Sequence, residues 1–254
     1  MGCLITTGIN FTFAADLNSS MALPYFYEPQ VTGAHKTFSL SQETAKHSIQ
    51  VLRMQAGEKL QLTDGKGGLF TCIISHAGKK NAEVEIISAN YQPAPPRKIS
   101  LAVSLLKNAS RFEWLLEKAT ELGVTEIIPL LCQRTERQHF RHERMSSIVV
   151  SAMLQSQQAW LPHLYEPLKF EAVVQQSVYL QKLVAHCEEN GTKHALSQLR
   201  FTQNVQMLIG PEGDFSPAEI EMALKQQYAP VSLGNTRLRT ETAAITAVAL
   251  LVNL

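Results

Sequence analysis

Two stretches near the C-terminus constrain this chain most: Leu208-Ile-Gly-Pro-Glu-Gly-Asp-Phe-Ser-Pro-Ala-Glu-Ile220 and Val231-Ser-Leu-Gly-Asn-Thr-Arg-Leu-Arg-Thr-Glu-Thr-Ala-Ala244. Each runs from an apolar strand through a glycine-bearing loop into a well-signalled helix. α/β proteins place ligands in this way, at the carboxyl ends of parallel strands. The stretches read as one site built twice, and the rest of the chain is read around them.

Upstream, Ile99 to Leu106 reads as a buried strand. Phe112, Leu115, Leu116, Ala119 and Leu122 recur at helical spacing before Gly123 in the C′ position, and Thr125 to Leu131 is the next strand. Strand, helix and strand with tight joints imply parallel pairing through a right-handed crossover. A helix Arg144–Gln158, strands at 182–186 and 205–209, a helix 217–227, a strand 231–233 and a final helix continue the pattern. The fold class is therefore α/β from residue 97 to 254. Residues 40–88 differ: a helix opened by Ser41 is followed by β-rich runs at 58–63, 69–74 and 82–87 with hairpin chemistry in Asp64-Gly-Lys-Gly-Gly68, as in a small β-barrel. The barrel is expected over 21–90. Pro93, Pro95 and Pro96 make 91–96 a stiff linker.

Residues 1–20 make a poor secretory signal, lacking a charged start and a long apolar run. Either Met21 is the true start or residues 1–20 are a disordered extension. The longest apolar run, Ala243 to Val252, is about half of what a bilayer requires, so it reads as a buried helix. Cys3, Cys72, Cys132 and Cys187 form no CxxC pair. They read as packing residues of a cytoplasmic protein, with no metal site. Net charge is +1, but residues 97–150 carry nine Lys/Arg against six Asp/Glu. The surplus concentrates in Arg134 to Arg144, where four arginines and two histidines flank Phe140, as in a phosphate-contacting patch or a solvated loop with Arg/Glu pairs.

In the first paired loop, Gly210 and Gly213 bracket Pro211-Glu212, and glycine permits close approach of a ligand to the backbone. Glu212 either binds a ligand or locks the loop by accepting backbone N–H bonds. Ser216-Pro217-Ala218-Glu219 reads as a capping box with proline at the first helical position. No Gly-Lys-Ser/Thr follows and no GxGxxG is present, which excludes the P-loop and the dinucleotide fingerprint. In the second loop Arg237 and Arg239 precede a helix start, with Thr240 as the expected N-cap and Glu241 in its first turn, an arrangement that concentrates positive potential. If that segment is extended, the two arginines point to opposite sides, one toward ligand and one anchoring structure.

At these residues the chain resembles the SPOUT class of S-adenosylmethionine-dependent RNA methyltransferases. More closely it is similar to the small-subunit ribosomal RNA uridine-N3 methyltransferase family. The likeness is carried by Gly210-Pro-Glu-Gly213 with Ser216 and Glu219-Ile220, by Leu233-Gly234 with Leu238-Arg-Thr-Glu-Thr-Ala243, and by Lys107 with Glu113 to Gly123. In the barrel it is carried by His47, Val51-Leu-Arg-Met54, Gly57 and Asp64-Gly65. The resemblance implies a C-terminal SPOUT domain with a trefoil knot, a PUA-like RNA-binding barrel before it, a homodimer, and 16S ribosomal RNA in the small subunit as partner. It implies that Leu183, His186, Gly210, Pro211, Glu212, Gly213, Leu233, Gly234, Leu238 and Thr240 surround the cofactor. Arg239 and Glu241 would be catalytic. Arg53, Lys107, Arg111, Arg134, Arg137, Arg141 and Arg144 would meet RNA. Where many relatives have Glu-Gln-Ser-Gly-Arg, this chain has Leu154-Gln-Ser-Gln-Gln158. The alternatives are a SPOUT enzyme acting on ribose 2′-OH or a transfer RNA base, and a non-catalytic ribosome-assembly factor.

Overall fold

The computed structural model describes residues 23–78, 81–188 and 192–254; the expected extension at 1–20 lies outside them. The elements run β1 (Tyr25–Tyr27), β2 (Thr37–Ser39), α1 (Gln42–Ala45) with a π-helical continuation Lys46–Val51, β3 (Lys59–Thr63), β4 (Gly68–Ala77) and β5 (Ala82–Tyr91). They continue with β6 (Ile99–Ser104), α2 (Ala109–Glu121), β7 (Glu126–Leu131), α3 (His142–Gln155), β8 (His163–Leu164), β9 (Leu168–Lys169) and α4 (Phe170–Gln176). Last come β10 (Gln181–Ala185), β11 (His194–Ala195), β12 (Val205–Ile209), α5 (Pro217–Lys225), β13 (Ala229–Ser232) and α6 (Thr240–Asn253).

The first five strands form one sheet in the order β1-β3-β4-β5-β2 around a core that includes Phe26, Leu60, Leu62, Phe70 and Val84. Alternation along β4 buries every second residue over its first half, which sets its register against β3. β1 and β2, three residues each, are too short to announce themselves by alternation. β5 runs on to Tyr91, so the expected linker begins inside a strand.

The second sheet has the order β11-β13-β10-β12-β6-β7-β8, with β9 also on β7, and every pairing is parallel. β6 and β12 lie in its middle and are buried along their whole length, as apolar runs covered on both faces require. One face packs against α2, α3 and α6 through Leu115, Leu116, Val149, Ala247 and Leu251, and the other against α4 and α5 through Val174, Phe215 and Ile220. β13 is inserted between β10 and β11, which precede it in the chain. A strand laid late between two earlier neighbours is what a C-terminal trefoil knot needs.

Local signals explain the boundaries. Asn108 caps α2 by accepting from Ser110 N at 2.9 Å, and Gly123 at φ +93° ends it. α5 carries the full capping box of Ser216 and Glu219 behind Pro217. It stops at Lys225, because Gln227 takes the left-handed conformation at φ +65°. The helix expected at Arg144–Gln158 starts two residues earlier and ends three earlier. Gln157 turns left-handed at φ +55°, and the chain beyond it bridges at Trp160 to Lys66 in the loop between β3 and β4. The final helix is capped by Arg239, not Thr240, which is its first helical residue.

Candidate functional site at the carboxyl ends of β10, β12 and β13

The carboxyl ends of β10, β12 and β13 open into a single cleft of about 970 Å³, within the range of small-molecule sites. Both loops singled out in the sequence line it, because β10 pairs directly with β12 on one side and β13 on the other. His186, Gly210, Pro211, Glu212, Leu233, Gly234, Leu238, Arg239, Thr240 and Glu241 all reach the cleft.

The first wall is backbone held rigid. Gly210 is buried, and a Cβ there would stand 3.0 Å from Phe215 N and 3.3 Å from Asp214 C. Glu212, with two roles open from sequence, accepts the Lys107 N–H at 3.0 Å and so ties the loop to the segment before α2. Asp214, at φ +65°, accepts from Cys187 N at 2.7 Å and from Phe215 N at 2.8 Å, binding this wall to the end of β10. Sequence reasoning missed Asp214. Its signal was a Gly-Asp step before a capped helix, where Asp tolerates the left-handed conformation.

The second wall follows β13. Gly234 has φ +143° with open space around its Cα, so glycine is required there by backbone conformation alone. Arg237 and Arg239 both line the cleft and are both exposed, and among the described residues neither lies within ion-pair distance of a carboxylate. The expected split into ligand-facing and anchoring arginines is therefore not observed. Anchoring falls instead to Arg111, whose Nε lies 3.7 Å from the buried Glu241 carboxylate at the start of α6.

His186 sits where β10 ends. Burial, reinforced by the Lys193 ammonium, pushes its imidazole below the usual value of 6.5, so the ring is neutral near pH 7. Among the described residues its buried Nδ1 has no hydrogen-bond partner. Cys187 and Lys193 also line the cleft, and Lys193 Nζ donates to His186 O at 2.8 Å.

Two expected cleft residues lie elsewhere. Leu183 points into the apolar core beneath α6, two residues before the strand end. Gly213 faces Arg134, which donates to Gly213 O at 2.7 Å and to Phe215 O at 3.3 Å. Arg134 is thus a strut of the loop, since its guanidinium is committed to these carbonyls.

The other expected RNA-contacting residues divide in the same manner. Arg144 makes a bidentate pair with Glu113 at 2.6 and 2.8 Å, which holds that carboxyl below its usual range, and Lys107 Nζ pairs with Glu136 at 2.7 Å. Arg137 and Arg141 have no such pair among the described residues. Arg53 stands exposed at φ +57° at the end of the π-helical turn, beside exposed Val51 and Leu52. Of the cysteines, Cys72 and Cys132 are buried and pushed up to about 11 and about 12, so both thiols stay protonated, whereas Cys187 is exposed. The expected packing role therefore holds at Cys72 and Cys132 and fails at Cys187, and Cys3 lies outside the described residues. Among the described residues no group of three or more His, Cys, Asp or Glu is placed to hold a metal, and no helix is long and apolar enough to cross a membrane.

Residues 93–252 match the model of an RNA methyltransferase domain, and residues 40–87 that of an RNA methyltransferase PUA domain. The chain belongs to this RNA methyltransferase family. It is 31% identical over 219 residues to the ribosomal RNA small subunit methyltransferase E of Synechocystis sp., covering 84% of this chain and 72% of the relative. It is 29% identical over 201 residues to the enzyme of the same name from Rickettsia conorii, covering 78% and 82%. Among solved structures, this methyltransferase superposes with a TM-score of 0.84 at 38% identity on a probable rRNA-methyltransferase from Porphyromonas gingivalis, covering 90% of this chain and 97% of that one. It also superposes with a TM-score of 0.80 at 28% identity on a ribosomal RNA small subunit methyltransferase E from Neisseria gonorrhoeae bound to S-adenosylmethionine, covering 89% and 95%.

Proposed function

We propose that this RNA methyltransferase transfers a methyl group from S-adenosylmethionine to N3 of a uridine in small-subunit (16S) ribosomal RNA, on assembled subunits, as a cytoplasmic homodimer. The observation that carries the reading is the convergence of both glycine-bearing loops on one cleft whose rim holds the exposed Arg239. The residues fit the cofactor. Gly210 leaves a backbone wall that a side chain could enter only by displacing the main chain at 214–215, and the Nδ1 of His186, without a partner among the described residues, costs free energy unless a ligand or water meets it. Gly210 to Glu212, Leu233, Gly234 and Leu238 would hold the cofactor, which supplies an electrophilic methyl group when bound.

The chain's own task is to make the uracil imide nucleophilic. Its proton sits roughly two pK units above neutral, a penalty of about 3 kcal/mol. Arg239, free of ion pairs among the described residues and at the positive end of α6, stabilises negative charge developing on a uracil carbonyl oxygen. Glu241 holds Arg111 at the cleft, so the second guanidinium is fixed while the first stays available. Arg137, Arg141 and Arg53 supply phosphate contacts.

The test is nucleoside analysis by mass spectrometry of 16S ribosomal RNA from cells lacking the protein and from complemented cells. N3-methyluridine missing from the first and restored in the second is the expected result; loss of a 2′-O-methyl nucleoside, or no change, would refute the assignment.

A further inference from the structure

A short segment, Gln158 to Leu161, joins the PUA-like sheet to the methyltransferase domain and bonds to both. On the sheet side, Tyr25 Oη donates to Gln158 O at 3.0 Å, Thr63 Oγ1 and Gly67 N donate to Ala159 O at 3.3 and 2.9 Å, and Leu161 N donates to Gly65 O at 2.9 Å. The Trp160 ring packs edge-on against Tyr91 at 5.9 Å, and its Nε1 donates to Gln92 O at 2.9 Å, in the first residue after β5. Gly65 and Gly67 are left-handed at φ +70° and +97°. A Cβ on Gly65 would meet Leu161 Cβ at 3.0 Å, and one on Gly67 would meet the Trp160 ring at 2.8 Å and Gln92 O at 2.7 Å. The loop between β3 and β4 is shaped to receive this segment.

On the catalytic side, Gln158 Nε2 donates to Thr120 O at 2.8 Å and Glu121 O at 3.2 Å, closing the C-terminus of α2. The first turn of α2 carries Arg111, which meets Glu241 in the cleft. Interdomain contacts within a chain ordinarily allow relative motion. Here Trp160 also pins the start of the proline-bearing connection, so hinge and clamp are the same contact.

We propose that Gln158–Leu161 is a positioning clamp, with Trp160 its principal residue, that fixes the angle between the barrel and the methyl-donor cleft and thereby sets how structured RNA spans both. The inference rests on the proposed function for its substrate. Two linked RNA-contacting surfaces act at high effective concentration only when their separation matches the target, so loosening the joint weakens capture and leaves each surface intact.

The experiment compares wild type, Trp160→Ala and Trp160→Phe on assembled small subunits, with S-adenosylmethionine affinity by calorimetry, amide hydrogen exchange and small-angle scattering. Trp160→Ala is expected to raise KM for subunits about tenfold with kcat within about twofold, as loss of effective concentration requires. Its cofactor affinity stays at the wild-type value, the Gly67 and Leu161 amides exchange faster, and the scattering profile broadens. Trp160→Phe, which keeps a ring against Tyr91, recovers most of the KM. Unchanged KM in Trp160→Ala, or a fall in kcat and cofactor affinity together, overturns the proposal. If wild type methylates no subunit, the functional reading fails, and the clamp stands or falls on exchange and scattering alone.

Discussion

Replacing Gly210 by alanine tests the backbone wall of the cleft. The added Cβ would stand 3.0 Å from Phe215 N, 3.2 Å from Phe215 Cδ2 and 3.3 Å from Asp214 C, so two of its three nearest atoms belong to the main chain. That main chain has little room to retreat. Phe215 is 1% exposed with its ring 5.1 Å from that of Phe170, and Asp214 is held by Cys187 N. Overpacking of this kind costs about 1–3 kcal/mol. Taking about 2 kcal/mol, and about 2–4 °C per kcal/mol for a chain of this size, Tm should fall by about 4–8 °C. Displacing the 214–215 peptide also moves the Cys187 edge of the cleft, and S-adenosylmethionine affinity should fall about tenfold, equivalent to about 1.4 kcal/mol. Gly213→Ala is the internal control, because its Cβ would meet only the flexible Arg134 side chain at 3.5 and 3.7 Å. Thermal unfolding and calorimetric titration of both variants decide the matter. A Gly210→Ala protein that melts within about 1 °C of wild type and binds the cofactor normally, or a Gly213→Ala protein equally impaired, would refute the reasoning.

Arg239→Ala should lower methyl transfer by about 10²–10³-fold, the usual cost of one electrostatic donor, while cofactor affinity measured by calorimetry stays unchanged. Glu219→Gln weakens a buried carboxylate that accepts from Gln133 N and Ser216 N, both at 2.8 Å; denaturant unfolding should register a loss of about 1–2 kcal/mol. His186 titrates below its unfolded value of 6.5, so the unfolded chain binds more protons there and stability is lost as pH falls from 6.5 toward the folded value. A His186→Asn variant should flatten that part of the stability profile, and an unaltered profile would show that burial of the imidazole has no such consequence.

The parts of the fold that could be read from sequence are those whose signal is local. β6, α2, β12, α5 and α6 declare themselves through apolar runs, helical spacing and caps, and so do the two loops that form the cleft. β1, β2, β8, β9 and β11 escaped because two or three residues cannot show alternation; they exist by pairing with strands distant in sequence. The cleft's membership was legible down to Gly210, Gly234 and Arg239, since glycine and arginine in those places have few other uses. Leu183 and Gly213 went astray for geometric reasons: strand parity and one peptide orientation decide which way a residue faces, and neither is encoded in composition. Arg111 and Arg134 were read as RNA contacts because a basic side chain looks the same in sequence whether or not a carboxylate or carbonyl waits across the fold.

That last ambiguity also orders the chemistry of the site. An arginine hydrogen-bonded to Glu113 or to the Gly213 carbonyl has given up donors that a phosphate or uracil oxygen would need, one ion-paired with Glu241 has part of its charge compensated, and breaking either contact has a free-energy cost. Arg137, Arg141 and Arg239 carry no such commitment among the described residues. The two groups should therefore respond differently to mutation and salt. Neutralising Arg137 or Arg141 should lower subunit affinity and reduce the slope of log affinity against log salt by roughly one for each charge removed, with Tm unchanged. Neutralising Arg134 should lower Tm and cofactor affinity and leave that slope as it was. Filter-binding titrations across a salt series, with a melting curve for each variant, separate them. If Arg134→Ala shifts the salt slope as much as Arg141→Ala does, the division between scaffold and contact arginines is wrong.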